Sequence, residues 1–359
     1  MKIAFDTGPL GSQHAVRGIG VHTGELVSAI EQESRSKKDF EFKGFDFINH
    51  KSEIYNQKFD LVHYTSFHPH FITLPLLKPA KKVILTIHDL IRLIYPKAYP
   101  AGLKGNIRFQ IQKLLLEKNV DTVVTISETS KKDIVRFLPF REENIFVTYL
   151  AQKKSFRKLD AGSWKSEIKN KFGLPEKFVL YVGDVNYNKN LLTLGKACEI
   201  AKIPLVMVGK KTISEGMDFT HPENHFFGEF LKKYGSSRNV LRLGFVEDSD
   251  LVKIWNLASV YCFPSLYEGF SITPLDSMAC GVPVVASRIN VHKEICEDAV
   301  LYADPKGPKE FAEKILKLIN NESLRNEMVK KGLEQIKKFS WEKCAKETIR
   351  IYDQVLKRI

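Results

Sequence analysis

Glu268 and Asp276 stand with seven residues between them in "FPSLYEGFSITPLDSMACGVPVVAS" (263–287), and that stretch carries little bulk. An apolar run ends at Pro264, and the loop after it holds Glu268. Thr273 reads as a helix N-cap, Pro274 as the first helical position and Asp276 as the third, a capping box with Asp in place of Glu. Gly281 then ends the helix and Pro283 forbids its continuation. A helix N-terminus offers unpaired N–H groups and about half a positive charge, which suits a diphosphate. The plain alternative is a capping Asp and a solvated loop Glu. It leaves unexplained why an acid faces the start of the same helix.

Three further sets of residues could carry chemistry. In "RGIGVHTGELV" (17–27), Gly18 and Gly20 open a helix and would let backbone approach a phosphate, although a simple turn reads equally well. In "TIHDL" (86–90), His88 sits at the end of an apolar run, where a structural histidine is the ordinary reading. In "YVGDVNYNKN" (181–190), Gly183 ends another such run and Lys189 precedes a helix, placed to meet phosphate as a point charge. "HPH" (68–70) has no acids at ligand spacing, so no metal site is expected there.

The elements that must position these residues alternate along the chain. Segments 2–6, 59–65, 82–89, 121–127 and 144–150 read as buried parallel strands, near-continuously apolar, with helices at 19–31, 103–118 and 128–137. The pattern restarts at 177–183, 203–209, 239–246, 258–265 and 282–287. Strands alternating with helices predict βαβ units, and two sets predict two doubly wound α/β domains. The polar, basic stretch 151–164 reads as a linker, and the chain from 310 onward as helical. Ligands of such sheets sit beyond the carboxyl ends of strands, where the candidate residues fall.

The 359 residues carry a net charge of +13. Residues 1–170 hold 27 Lys or Arg against 18 Asp or Glu, the remainder 28 against 24. A basic first half fits a phosphorylated small molecule or an anionic membrane. No nucleic-acid-binding motif accompanies it, so nucleic acid is not an expected partner. Five cysteines without a CxxC pair fit a reducing cytoplasm. The first residues lack the apolar core of a signal peptide, and no apolar run reaches the roughly 20 residues of a membrane span. Segment 103–118 places Leu103, Ile107, Ile111, Leu114 and Leu115 on one helical face, flanked by Lys104 and Lys118. A core helix is the ordinary reading; docking on anionic lipid, helped by the basic residues of the 151–164 stretch, is the alternative.

Together these motifs resemble the family 4 retaining glycosyltransferases of the GT-B fold, over nearly the whole chain. The 264–287 stretch is similar to that family's acid–seven–acid signature, "TISETSKKDI" and "FSWEKCAKETI" fall where the family has counterparts, and "TIHDLIRLIYPKAYP" resembles its mannosyltransferase-like subgroup of surface-polysaccharide synthesis. The resemblance implies two Rossmann-like domains facing across a cleft. Residues 1–155 would form the acceptor domain and 165–339 the donor domain, with the helix of about 340–359 crossing back to the first. It implies that Gly18, Gly20 and Gly183 line the donor site, that His88 reaches the transferred sugar and that Ser127 faces the cleft. Lys189 would bind the diphosphate, Glu268 the sugar hydroxyls, and backbone at Phe270, Ser271, Ile272 and Thr273 the phosphates. Asp276 would hold the ribose, and Phe245 with Val246 would meet the base.

Two residues depart from the family pattern. Asp276 stands where Glu is usual, one methylene shorter. Asp184 stands where a basic residue often follows the glycine, and its charge opposes a diphosphate.

The expectation is a cytoplasmic, metal-independent and cofactor-free transferase, peripheral at a membrane. It would move a sugar from a nucleotide-diphosphate sugar, GDP-mannose first, to a glycan or lipid-linked acceptor. A UDP-sugar enzyme, a sugar-nucleotide epimerase of the same fold and a non-catalytic sugar-nucleotide binder are the alternatives.

Overall fold

The computed structural model describes residues 1–11, 18–35, 39–47, 49, 51–213 and 216–357, without the side chains of 51 and 52. The chain divides into two compact units, Met1–Ala151 with Phe339–Ile359, and Gln152–Lys338.

The first unit runs β1 (Lys2–Asp6), α1 (Gly18–Ser34), β2 (Glu41–Phe45), α2 (Lys51–Asn56), β3 (Leu61–Tyr64), β4 (Lys82–Ile87), α3 (Ile91–Ile94), α4 (Gly102–Asn119), β5 (Thr122–Thr125), α5 (Glu128–Phe137) and β6 (Ile145–Val147). The strands form one parallel sheet in the order β2-β1-β3-β4-β5-β6. Strand β2, absent from the sequence reading, is an edge strand with several exposed residues, so "EFKGF" shows no buried run.

The two faces of this sheet are covered by different elements. Val62, Leu85 and Val123 pack with Leu116 of α4 and Ile134 of α5. Their neighbours Leu61, Ile84 and Val124 pack with Tyr352 and Val355, from the last helix of the chain. Burial on both sides is why these strands read as continuous apolar runs.

The second unit runs α6 (Trp164–Phe172), β7 (Val179–Val182), α7 (Leu191–Ala201), β8 (Leu205–Val208), α8 (Pro222–Tyr234), β9 (Val240–Gly244), α9 (Asp248–Leu257), β10 (Val260–Phe263), α10 (Ile272–Ala279), β11 (Val284–Ser287), α11 (Asn290–Cys296), β12 (Leu301–Ala303), α12 (Pro308–Asn320) and α13 (Glu322–Gln335). Its parallel sheet is ordered β12-β11-β10-β7-β8-β9. The three-residue edge strand β12 also escaped the sequence reading.

Of residues 151–164, read as a linker, Ala151 belongs to the first unit and Trp164 opens α6; the residues between carry no regular element but are stitched to the second unit. The Leu159 amide donates to Asn256 Oδ1 (2.8 Å), the Asn256 amide donates to the Arg157 carbonyl (3.0 Å), and Phe156 is buried.

The final helix, α14 (Trp341–Lys357), belongs to the first unit. Tyr352 is fully buried and its hydroxyl lies 2.7 Å from His63 Nδ1 on β3. Truncating so large a buried ring would cost roughly 3–5 kcal/mol.

Candidate active site

In the second unit the chain leaves β7 toward β8 on one side, while β10 lies on the other and leads to β11. The strand order therefore reverses between β7 and β10, the place where open α/β sheets bind ligands. The loop after β7 carries Lys189 and the loop after β10 carries Glu268. Their side chains meet: Lys189 Nζ lies 2.7 Å from Glu268 Oε1, and both are largely shielded from solvent. The Lys189 ammonium also sits 5.4 Å from the centre of the Phe263 ring. A shielded ion pair needs further hydrogen bonds to offset desolvation. Asn188 supplies one, its amide donating to the Tyr267 carbonyl (3.0 Å) and to Glu268 Oε1 (3.4 Å).

The two loops are also tied through backbone. The Leu266 amide donates to the Asn188 carbonyl (2.7 Å), and the Asn190 side chain donates to the carbonyls of Pro264 (2.9 Å) and Pro305 (2.6 Å). Asn188 and Asn190 were missed from the sequence. Their only signal was the alternation "NKN" around Lys189.

Gly183 closes β7 with φ +154° and faces Gly209, φ +150°, at the end of β8. A Cβ on Gly209 would fall 2.1 Å from the Gly183 carbonyl oxygen. Only glycine lets these strand ends approach so closely. Beneath them the buried Tyr181 hydroxyl donates to the Asp184 carbonyl. Burial raises the Tyr181 phenol well above its ordinary range, and the charges of Glu268 and Asp184 add to the shift.

Helix α10 corrects the sequence reading of its own start. It begins at Ile272, so Thr273 is inside the helix, where its hydroxyl accepts from Tyr261 (2.7 Å), and Asp276 lies beyond the first turn. No capping box forms. The N-cap position belongs to Ser271, held at φ +84° and ψ +87° with no side-chain cap bond. The Ser271 hydroxyl oxygen is buried and has no hydrogen-bond partner. A β-region N-cap would have turned that oxygen onto the helix amides; the left-handed backbone leaves the hydroxyl and the first amides of α10 uncommitted to each other. Phe270 is buried beside them.

Asp276 is buried and its Oδ1 accepts from the Lys153 backbone amide at 2.9 Å. The Lys153 ammonium in turn grips both Asp248 oxygens, at 2.8 and 2.9 Å. Asp276 therefore anchors the 152–159 segment. Beyond β9, Phe245 is exposed and Val246 buried.

The first unit holds a second constellation. Gly18 and Gly20 open α1, Gly18 exposed and Gly20 buried; Arg17 of the same motif lies outside the described residues. One turn on, His22 Nδ1 lies 2.7 Å from Nε2 of His88, which follows β4. The His22 ring is buried and stacks on Trp341 at 6.1 Å with a 25° tilt. Burial lowers His88 to about 4, and burial together with the neighbouring imidazoles lowers His22 well below the ordinary histidine value. Behind them His63, lowered by burial to about 3, is held between the Tyr352 and Thr86 hydroxyls, each at 2.7 Å.

His22 and Trp341 were both missed as site residues, since nothing local in the sequence ties either one to His88. Ser127, expected to face a cleft, is instead fully buried. Its hydroxyl caps α5 by accepting from the Ser130 amide at 2.9 Å. The extended backbone at Ser127 turns the oxygen inward onto the helix start.

Among the described residues no three His, Cys, Asp or Glu side chains converge as a metal site.

Two protein families match the chain. "Glycosyltransferase Family 4" covers residues 16–151 and "Glycosyl transferases group 1" covers 163–335. The O-antigen chain mannosyltransferase B of Escherichia coli is 25% identical, over 98% of this chain and 99% of its own length. The sucrose-phosphate synthase of Thermosynechococcus elongatus superposes with a TM-score of 0.73 at 20% identity, covering 99% of this chain and 98% of that one. HepE of Anabaena, solved in complex with UDP and glucose, superposes with a TM-score of 0.71 at 14% identity, over 99% and 100% of the two chains. The two Rossmann-like units are those of the GT-B fold, and the chain belongs to the glycosyltransferases, family 4 in type over its first unit and group 1 over its second.

Proposed function

We propose that this glycosyltransferase moves a sugar from a nucleotide-diphosphate sugar, GDP-mannose first among them, to a glycan or lipid-linked acceptor in polysaccharide or glycolipid synthesis. The observation that carries the reading is the Lys189–Glu268 pair at the strand-order reversal of the second unit. An ammonium has three N–H donors and Glu268 takes one. The others can meet the oxygens of a leaving diphosphate, with the first amides of α10 and the Ser271 hydroxyl on the same loop. Glu268, an acceptor on two oxygens, can hold hydroxyls of the transferred sugar while Lys189 fixes its position. The mannosyl preference is supported by the end-to-end alignment with the O-antigen mannosyltransferase.

In this reading Lys189 and helix amides neutralise the diphosphate without a metal or cofactor, the anomeric configuration is retained, and the protein works in the cytoplasm. A UDP-sugar is the second reading, favoured by the superposition on HepE with its UDP.

The test offers GDP-mannose and UDP-glucose, each with and without a glycan acceptor and in EDTA. Acceptor-dependent release of GDP is the expected result. Preferred release of UDP would correct the donor, and loss of turnover in EDTA would remove the metal-independent mechanism. An epimerised nucleotide sugar, or tight binding without turnover, would overturn the transferase reading.

A further inference from the structure

Large apolar side chains are exposed unevenly on this molecule. Leu76, Leu77, Leu103, Ile107, Ile111 and Leu114 all lie open to solvent, Leu103 at 78% and Leu76 at 72%. Phe71 and Ile72 join them, exposed at 57% and 44%. Among the described residues, eight of the fourteen exposed large apolar side chains thus come from two short segments, 71–77 and 103–114.

The two segments form one surface because buried amides bind them together. Gln112 on the inner face of α4 is fully buried, and its amide donates to the carbonyls of His68 (3.1 Å) and Phe71 (2.7 Å) and approaches the Thr73 hydroxyl (3.0 Å). Two turns on, the buried Asn119 amide donates to the carbonyls of Pro75 (2.8 Å) and Leu76 (3.3 Å). The Tyr55 hydroxyl donates to the Leu77 carbonyl at 2.9 Å. The loop therefore lies along α4 as a fixed strip. Its backbone is satisfied toward the protein while its apolar side chains remain outside. Helix α4 then has two apolar faces. Leu115 and Leu116 enter the core, and Leu103, Ile107, Ile111 and Leu114 form a second stripe at helical spacing. The core-helix reading holds for Leu115 and fails for the other four.

Cations predominate around this surface, with Lys78 paired to Asp121 (2.7 Å) and Lys81 to Asp60 (3.7 Å) at its inner edge. Residues 71–82 and 102–119 contain seven Lys or Arg and a single acid, Glu117. Lys104, Arg108 and Lys118 are exposed. The Arg108 guanidinium stands 5.7 Å from the centre of the Phe71 ring, so a cation and an exposed ring share the face. Among the described residues no helix is long and apolar enough to cross a membrane.

We infer that the loop 71–77 and the outer stripe of α4 form a docking surface for an anionic lipid bilayer. The apolar side chains enter the acyl boundary, and the long basic side chains extend to the headgroups. A contiguous apolar patch rimmed by cations is costly to leave in water and complements a negatively charged lipid surface. This rests on the transferase reading only in its purpose, which is to bring a water-soluble donor to a lipid-linked acceptor.

The test is co-sedimentation of the full chain with vesicles of phosphatidylglycerol and phosphatidylcholine, against phosphatidylcholine alone, at low salt. Binding to the anionic vesicles is expected, at least about tenfold weaker on the neutral ones. The double variant Leu103→Glu/Leu114→Glu should lose about tenfold or more of the anionic binding. Lys104→Glu/Arg108→Glu should weaken it while leaving the apolar face in place. Transfer to a water-soluble acceptor should be unchanged in all of them, and failure of that transfer in the wild type would count against the transferase reading alone. No sedimentation of the wild type at low salt, or binding undiminished by the leucine variant, overturns the docking surface. So does a concentration-dependent dimer that Leu103→Glu/Leu114→Glu abolishes without any vesicle binding, which would make this face a contact between two copies.

Discussion

His22 Nδ1 and His88 Nε2 are 2.7 Å apart, and one proton must lie between them. The rest of the His22 ring decides which nitrogen supplies it. His22 Nε2 is buried without a hydrogen-bond partner. A proton there would be an orphaned buried N–H, costing about 1–3 kcal/mol, whereas a bare lone pair is tolerated more readily. His22 therefore donates from Nδ1, His88 accepts on Nε2, and His88 carries its own proton on Nδ1. If His88 reaches the transferred sugar, it does so as a neutral N–H donor whose tautomer is set by a helix in the same unit.

His22→Phe should accordingly keep the stack on Trp341 and the melting temperature while lowering kcat severalfold, because His88 is no longer held in one tautomer. His22→Asn, which restores a donor near the Nδ1 position, should recover part of the loss. Wild-type kcat in His22→Phe would remove His22 from the mechanism.

Glu268→Gln should lower kcat by at least about tenfold, roughly 1.4 kcal/mol of barrier. It keeps an oxygen for Lys189 but loses the charge that strengthens its bonds to sugar hydroxyls. Lys189→Met should do more. It leaves the shielded Glu268 carboxylate unpaired, so thermal stability should fall together with kcat, by about 3–5 kcal/mol if the carboxylate stays charged. Steady-state kinetics and melting curves of both variants settle the point; full kcat in Glu268→Gln would end the assignment.

Ser271→Gly should separate stability from binding. Glycine adopts φ +84° without strain, so the variant should be as stable as the wild type or slightly more so. It also lacks the buried, unpartnered hydroxyl, so the donor Kd should rise. Calorimetry with the nucleotide diphosphate checks this, and unchanged affinity would mean that the hydroxyl does not meet the ligand.

Asp276 combines two duties. Asp276→Asn keeps an oxygen for the Lys153 amide and should mainly raise the donor KM. Asp276→Ala strands that amide and should also cost about 1–3 kcal/mol of stability. Urea unfolding of the pair distinguishes them; equal stability would show that water replaces the carboxylate at Lys153.

Acid should weaken the fold through its histidines. His88, and His292 fully buried on α11, are lowered by burial to about 4 and His63 to about 3, while in the unfolded chain each titrates near 6.5. Between those values the unfolded state binds more protons, so stability is complete above about pH 6.5 and declines as pH falls toward 4. The combined loss by pH 5 should reach at least about 2 kcal/mol, read as a lower urea midpoint than at pH 7. An unchanged midpoint would mean that these imidazoles take up protons as readily in the folded protein as in the unfolded chain.

Much of this protein was legible from local patterns. Two sets of short apolar runs separated by helical periodicity determined two parallel α/β units, because strands covered on both faces must be apolar throughout. Glu268 and Lys189 could be picked out because strand ends in such sheets are where ligands sit. What depended on tertiary structure was every pairing between distant segments. Nothing local distinguishes the edge strands β2 and β12, whose pairing partners define them. The start of α10 moved because Ser271 takes a left-handed backbone that no neighbouring residue announces. His22 meets both His88 and Trp341 only when α1, β4 and α14 come together in one unit. The stripe from Leu103 to Leu114 has the same periodicity whether it faces core or solvent. Which side it faces was decided by Gln112 and Asn119, whose amides hold a loop against the opposite face of the helix.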